Sequence, residues 1–238
     1  MPASLPLQEA PTEFVRNTGA YLWRRGQQPD ITKPPDRFAP IPGYRNYRGG
    51  ALYSFNQMRI LRDDYGVRTI VNLAREANDH VYDEARGCGG RNNQCEGLWA
   101  QELGLTYLYI PLTGSWQMST EKWDLIRNAL ADGNTYIHCQ AGVDRTGAVV
   151  ARWRRETEPH LTHEEVMRYT RIFGGAWRTE GDPNKKLREW IARGEYDPEL
   201  AARAFRRRSS HWHTIGIVSL WAAGAGLLWW SWSPKEQR

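Results

Sequence analysis

Apolar and polar residues alternate along this chain with two different periods, and the change from one to the other falls at Gly, Pro and Asn. Short apolar runs bounded by turn residues read as strands: ALYSF (51–55), VRTIVNL (67–73), LTYLYIP (105–111) and TYIHC (135–139). Between them lie segments whose apolar residues recur three and four positions apart, which predicts helices. NQMRILRDDYG (56–66) is stopped by Gly66, and STEKWDLIRNALADG (119–133) has Ser119 or Thr120 as its N-cap. Helical periodicity returns over 146–156, 162–172, 183–192 and 198–208. Residues 74–97 are rich in Asn, Gly and charge and read as loop. Strands alternate with helices early and helices follow one another late. That order predicts an α/β fold, a central and mostly parallel sheet flanked by helices, with further C-terminal helices.

The two ends break the pattern in opposite ways. Prolines recur from Pro2 to Pro42 and interrupt regular helix, so residues 1–45 read as an extended arm. Near the other end, residues 214–232 carry no charge and match the roughly 20 residues that cross a bilayer. Arg206, Arg207 and Arg208 precede this stretch, and Trp212, Trp229, Trp230 and Trp232 stand near its ends, where indoles favour the interface. The expected organisation is therefore an arm (1–45), a catalytic domain (46–172), a helical extension (173–208) and a single-pass membrane anchor (209–238). By the positive-inside tendency the large N-terminal part faces the cytoplasm. A buried helix of a soluble protein is the competing reading of 214–232.

Composition adds little to this picture. The 238 residues, 40% hydrophobic and 25% charged, suffice for one domain with extensions, and the net charge of +5 leans weakly toward anionic partners. Nucleic acid is not expected, because Arg203 and Arg206–Arg208 adjoin the apolar span and no aromatic stacking platform interleaves with them. Three cysteines without a leading apolar segment argue against a secreted disulfide scaffold and for a reducing compartment. Cys88 and Cys95 can form a disulfide, a partial metal site with His80, or a redox partner for Cys139; free loop thiols are the reading adopted. His160, His163, His211 and His213 fit no ligand spacing, and neither a metal nor another cofactor is expected.

The chemistry concentrates in HCQAGVDRTG (138–147), where a strand gives way to a helix. A thiol of ordinary pKa near 8.5 becomes a nucleophile only where its surroundings favour the thiolate. Here the backbone of Gln140, Ala141, Gly142, Val143 and Asp144 can turn successive N–H groups inward, and Gly142 permits a positive φ. The following helix adds the positive end of its dipole. Arg145 offers a planar fork for two phosphate oxygens, and Thr146 stands close enough in sequence to hydrogen-bond the sulfur of Cys139.

His138, Cys139, Gly142, Arg145, Thr146 and Gly147 resemble the H-C-x-x-G-x-x-R-[ST]-G signature of cysteine-dependent protein tyrosine and dual-specificity phosphatases. The upstream GALYSFNQ, YGVRTIVNL and YLYIPL look like the small bacterial branch of that family, so the resemblance spans about 46–172. It implies a metal-free reaction through a phosphocysteine on Cys139, with Arg145 clamping phosphate, Thr146 supporting the thiolate and His138 supporting the loop. It also implies a phosphorylated protein or a lipid head group as substrate. A phosphate-binding pseudophosphatase scaffold is the alternative. The chain departs from the family at the proton donor: YIPLTGSWQMS (109–119), where the family's aspartate is expected, holds no carboxylate. Asp144, inside the loop as in myotubularin-like lipid phosphatases, is the favoured acid, with Glu121 and Asp124 as rivals. Arg75, after the second strand, is a further candidate for substrate contact.

Overall fold

The computed structural model describes residues 30–74, 82–83, 88–89, 92–112, 118–173 and 185–206. Within them the strands are β1 (Ala39–Pro40), β2 (Tyr47–Gly49), β3 (Thr69–Asn72), β4 (Tyr82–Asp83), β5 (Cys88–Gly89), β6 (Thr106–Tyr109) and β7 (Thr135–His138). The helices are α1 (Phe55–Asp63), α2 (Asn92–Glu102), α3 (Thr120–Asp132), α4 (Asp144–Thr157), α5 (His163–Ile172), α6 (Lys185–Ala192) and α7 (198–206). The main sheet has the order β1-β2-β7-β3-β6, with β1 antiparallel to β2 and every other pair parallel. β4 and β5 pair separately as a short antiparallel ribbon. The expected α/β architecture with a mostly parallel sheet is therefore observed.

Both faces of the sheet are covered, and the side chains of its strands divide by alternation between two cores. Val71 and Ile137 point into a core shared with α3, α4, α5 and α6, including Ile126, Val150, Trp153 and Ile191. Ile70 and Tyr136 point into the opposite core, against Met58 and Leu61 of α1 and Trp99 and Ala100 of α2. β7 lies between β2 and β3, where the strand order reverses, so its C-terminal end opens into the crevice where α/β sheets place ligands. Asn46 sets where β7 begins: it accepts the Thr135 amide at 3.1 Å and donates to the Leu130 carbonyl at 2.7 Å, joining the strand to the end of α3.

Helix ends follow the sequence closely. Ser54, Ser119 and Thr162 cap α1, α3 and α5 by accepting the amides of Gln57, Lys122 and Glu165. Two expectations are corrected. ALYSF is not a strand: pairing with β7 is made by Tyr47–Gly49, while Ala51 and Leu52 are buried in the turn that leads to the Ser54 cap. Residues 74–97 are not all loop, since α2 begins at Asn92. Its first turns hold Asn and Gly, which weaken helix propensity, and burial of Cys95, Trp99 and Ala100 overrides that bias.

Residues 30–45 belong to the packed structure. Phe38, Ala39 and Ile41 are buried, and β1 closes one edge of the sheet. Among the described residues no helix is long and apolar enough to cross a membrane. The expected span 214–232 lies outside the described residues, as do Arg75, His80, Arg207, Arg208, His211 and His213.

Candidate active site

Cys139 leaves β7 with backbone pairing on both sides. Leu73 N donates to the His138 carbonyl at 2.8 Å from the β3 side, and Ala51 N donates to the Gln140 carbonyl at 3.1 Å from the β2 side. Two arginines continue the pattern. Arg37 Nη1 donates to the Ala141 carbonyl and Arg48 Nη2 to the Gly142 carbonyl, each at 2.5 Å. The next carbonyl, Val143, accepts the Gly147 amide at 2.8 Å as the first turn of α4. A peptide unit points its N–H opposite to its C=O, so anchoring successive carbonyls on the outside commits the amides that follow them to the inside. Among the described residues the amides of 140–143 have no internal acceptor. Val143 occupies the N-cap position of α4 and its side chain supplies no cap, so the positive end of the helix also stays open. The result is a concave set of donors suited to an oxyanion.

Gly142 makes this geometry possible for two reasons. Its φ of +68° is costly for a residue with a side chain, and a Cβ there would lie 2.4 Å from the Gly49 carbonyl carbon and 2.7 Å from Gly50 N. The loop is thus seated on the backbone at the end of β2. Gly147 serves packing in the same region, since a Cβ on it would meet Thr170 Cγ2 of α5 at 2.7 Å.

The Cys139 thiol is free and only 3% exposed. Thr146 is fully buried, and its Oγ1 has no hydrogen-bond partner among the described residues, which leaves the hydroxyl available to a ligand or to the sulfur. Arg145 is half-buried in the first turn of α4, and Asp144 is exposed at the start of that helix. The structure therefore gathers His138, Cys139, Gln140, Ala141, Gly142, Val143, Asp144, Arg145 and Thr146 in one strand-to-helix turn, with Arg37 and Arg48 added from outside it.

Beneath the loop lies a buried polar cluster. His138 Nε2 is 3.2 Å from Glu96 Oε2, and both side chains are wholly buried. The same oxygen accepts Asn72 Nδ2 at 2.8 Å and the Tyr107 hydroxyl at 3.1 Å. Asn72 in turn accepts the Ala74 amide at 2.8 Å, and the Tyr136 ring stacks on the imidazole with centroids 5.4 Å apart. Burial, and then the charge of Glu96, push the Tyr107 phenol far above its usual range, so it remains a donor. A buried carboxylate survives only with such partners. Here they tie α2, β3 and β6 to the residue preceding Cys139.

The rival carboxylates have other engagements. Glu121 is exposed at the start of α3, where the Ser119 hydroxyl and its own backbone amide hold it below the usual carboxylate range. Asp124 is 2.8 Å from Arg127 Nε and lines a cavity of about 470 Å³ with Trp123, Arg152 and Glu156. Arg152 and Glu156 stand more than two turns along α4 from Asp144. Cys95 is disulfide-bonded and buried, which overturns the free-thiol reading for that residue: no alternation pattern signals such a bond. Among the described residues no group of three or more His, Cys, Asp or Glu side chains is arranged to hold a metal ion. Arg37, Arg48, Asn72, Glu96 and Tyr107 were absent from the sequence-derived site. A charged residue in a short apolar strand, as Arg48 is in NYRGGAL, was the available signal for a buried polar role.

A family profile described as DSP-PTPase phosphatase fused to NAD+ Kinase matches residues 43–175. None of the curated proteins matches the chain. Among solved structures, the chain is similar to the core catalytic domain of the PP-IP phosphatase SIW14 from S. cerevisiae in complex with citrate, at 16% identity and a TM-score of 0.51, covering 70% of this chain and 88% of that one. It is also similar to TpbA from P. aeruginosa in complex with pTyr, at 16% identity and a TM-score of 0.44, covering 76% of this chain and 94% of that one. PTPMT1 is similar at 20% identity and a TM-score of 0.45, covering 71% of this chain and 99% of that one. At 16% identity the likeness to SIW14 is one of fold.

Gly66 provides an internal control for the loop, because its φ is also +68° yet nothing lies within 4 Å of a Cβ placed there. Gly66→Ala should cost about 1–2 kcal/mol of stability, the usual penalty for a left-handed residue. Gly142→Ala should cost more and should also abolish binding of inorganic phosphate or vanadate. Chemical denaturation and calorimetric titration of the two variants check this; equal losses of stability with anion binding retained would reject the contact with β2.

Proposed function

Because the chain belongs to the DSP-PTPase phosphatase family and is an enzyme of the protein tyrosine and dual-specificity type, we propose that it hydrolyses phosphomonoesters by nucleophilic attack of Cys139 on phosphorus. The observation that carries this reading is the loop itself: outward-held carbonyls, inward amides and a buried free thiol at the floor. In the first step the thiolate forms an S–P bond as the ester P–O bond breaks, and the leaving oxygen takes a proton. Water then cleaves the phosphocysteine to phosphate and thiolate. The amides of 140–145 and the Arg145 fork hold the equatorial oxygens, whose charge is best matched in the transition state. The Thr146 hydroxyl, buried without a partner, donates to the sulfur as it departs.

Asp144 is the proton donor in this reading. It is exposed in the first turn of α4, within the loop that begins at Cys139, whereas Glu121 and Asp124 stand on α3. The substrate is a phosphorylated protein or the head group of a phosphoinositide or phospholipid. The uncharged Gln140, Ala141 and Val143 favour the former, while Asp144 and the apolar stretch 214–232 favour the latter. A pseudophosphatase scaffold draws support from the carboxylate-free stretch 109–119. Residues 214–232 anchor the protein in the membrane as a single C-terminal span, with the catalytic domain on the cytoplasmic side where the preceding arginines are retained.

Cys139→Ser should abolish turnover while retaining substrate, because the donors survive and a hydroxyl is a far weaker nucleophile; activity within about tenfold of the parent would end the mechanism. Binding by the parent without turnover on phosphotyrosine peptides, phosphoinositides and phosphatidylglycerol phosphate would favour the scaffold. Asp144→Asn should slow hydrolysis of an alkyl or lipid phosphate by about 10²–10⁴-fold and an activated aryl phosphate much less, since only a poor leaving group needs the proton. Equal losses on both substrates would make Asp144 structural. Deletion from His211 onward should move the protein from the membrane to the soluble fraction with unchanged activity on a small aryl phosphate, and continued sedimentation with membranes would reject the anchor.

A further inference from the structure

Two arginines fasten the carbonyls of the loop, and they differ in what they leave free. Arg48 is fully buried, with Nε and Nη1 shut off from solvent. Arg37 is half-buried: Nη1 donates to the Ala141 carbonyl at 2.5 Å, and Nε and Nη2 stay open to solvent with no hydrogen bond or ion pair among the described residues. Those two nitrogens lie on one edge of the guanidinium and form its fork. Arg154 shows in this chain what that edge does, since its Nε and Nη2 hold the two carboxylate oxygens of Glu158 at 2.6 Å and 3.0 Å.

The backbone holds this side chain at the loop in a strained conformation. Arg37 has a φ of +53°, in the left-handed region that a residue with a side chain seldom adopts. Contacts on both sides maintain it: the Asp36 carbonyl accepts Gly50 N at 2.7 Å, and Phe38, buried in the core, donates its amide to the Pro35 carbonyl at 3.1 Å. The Asp36 and Gln140 carbonyl oxygens lie 3.2 Å and 3.4 Å from a Cβ placed on Gly50, so the segment before β1 meets the loop at this point. A glycine would adopt the same conformation without strain but would bring no donor. The loop is open on this side: Gln140, Ala141, Asp144 and Arg145 reach solvent, whereas Gly142, Val143 and Thr146 are buried. Arg37 therefore stands on the rim, fastened to one of the residues that line the opening.

We propose that Arg37 is a specificity-determining residue whose Nε–Nη2 fork binds a second phosphate of the substrate, within a few bonds of the phosphate held by the loop. Nη1 fixes the guanidinium on Ala141, so the fork is set before the ligand arrives and little side-chain freedom is lost on binding. Its planar geometry suits two oxygens of one phosphate. The class of ligand is a small head group that carries neighbouring phosphates. A phosphotyrosine peptide fits less well, because the ring holds the peptide's other charges well away from its phosphate. This role rests on the reading of the loop as the site of the scissile phosphate and narrows the substrate proposed above.

The test is calorimetric titration of the full-length protein with methylphosphonate and with methylenediphosphonate, which needs no turnover. The parent should bind the diphosphonate about tenfold or more tightly than the monophosphonate, the size of one charge-assisted contact. Absence of that preference overturns the proposal whatever the variants do. In Arg37→Met the ratio of the two affinities should collapse toward one; the ratio is the readout because loss of the Ala141 contact weakens both ligands alike. A ratio kept in folded Arg37→Met overturns the proposal. Arg37→Lys retains a charge and a donor for Ala141 but not the fork, so it should bind methylphosphonate within about threefold of the parent and lose most of the preference. Full retention of the preference in that variant overturns the fork even if the methionine variant fails to fold. The source of the phosphates is read from kcat/KM relative to a small aryl phosphate: a selective loss in Arg37→Met on a soluble inositol bisphosphate assigns a free head group, and one on phosphatidylinositol bisphosphate in phosphatidylcholine vesicles assigns a lipid. A loss confined to acidic phosphotyrosine peptides overturns the head-group assignment. Failure of the underlying phosphatase reading is seen separately, as turnover by Cys139→Ser.

Discussion

The whole site depends on which way a few peptide groups face. A loop that binds an oxyanion through its amides must send its carbonyls elsewhere, and unpaired carbonyls in a buried setting are costly. Here the Gln140, Ala141 and Gly142 carbonyls are taken up by Ala51 N, Arg37 and Arg48. All three donors lie in residues 37–51, the segment that forms the edge of the sheet and turns into α1. The loop is therefore completed by chain far from it in sequence, and Gly142 lets the two backbones approach.

The second support acts from below. Glu96 Oε2 gathers His138, Asn72 and the Tyr107 hydroxyl, which joins α2, β3, β6 and β7 under Cys139. Such clusters specify one arrangement because a partly satisfied buried carboxylate is worse than none. Arg48 at the Gly142 carbonyl and the Glu96 cluster at His138 therefore hold the loop from two buried directions.

The long helix α4 links this site to the rest of the domain. Its N-terminus faces the loop, and it packs against α5 and α6. Trp153 is fully buried there, and Glu156 accepts Trp123 Nε1 at 3.0 Å. The cavity beside Asp124 and Arg152 belongs to this second region, which separates that carboxylate from the loop.

Local chemistry was legible in the sequence. The strand TYIHC, the capped helices α3 and α5, the glycine needed for a positive φ and the Cys139–Arg145–Thr146 spacing each rest on residues within a few positions of one another. Propensity, capping and periodicity act over that range, so the α/β class and the family resemblance followed from them. Only the folded chain decided what depends on distant pairs. It placed the strand at Tyr47–Gly49 instead of in ALYSF, made a helix from the Asn-rich stretch at Asn92, and closed a disulfide at Cys95. It also brought Arg37, Arg48 and Glu96 to the loop across separations that periodicity and capping do not span. Their roles arise from burial, and a side chain is buried by what packs over it, which for these residues is set by the order β1-β2-β7-β3-β6 and not by their neighbours in sequence.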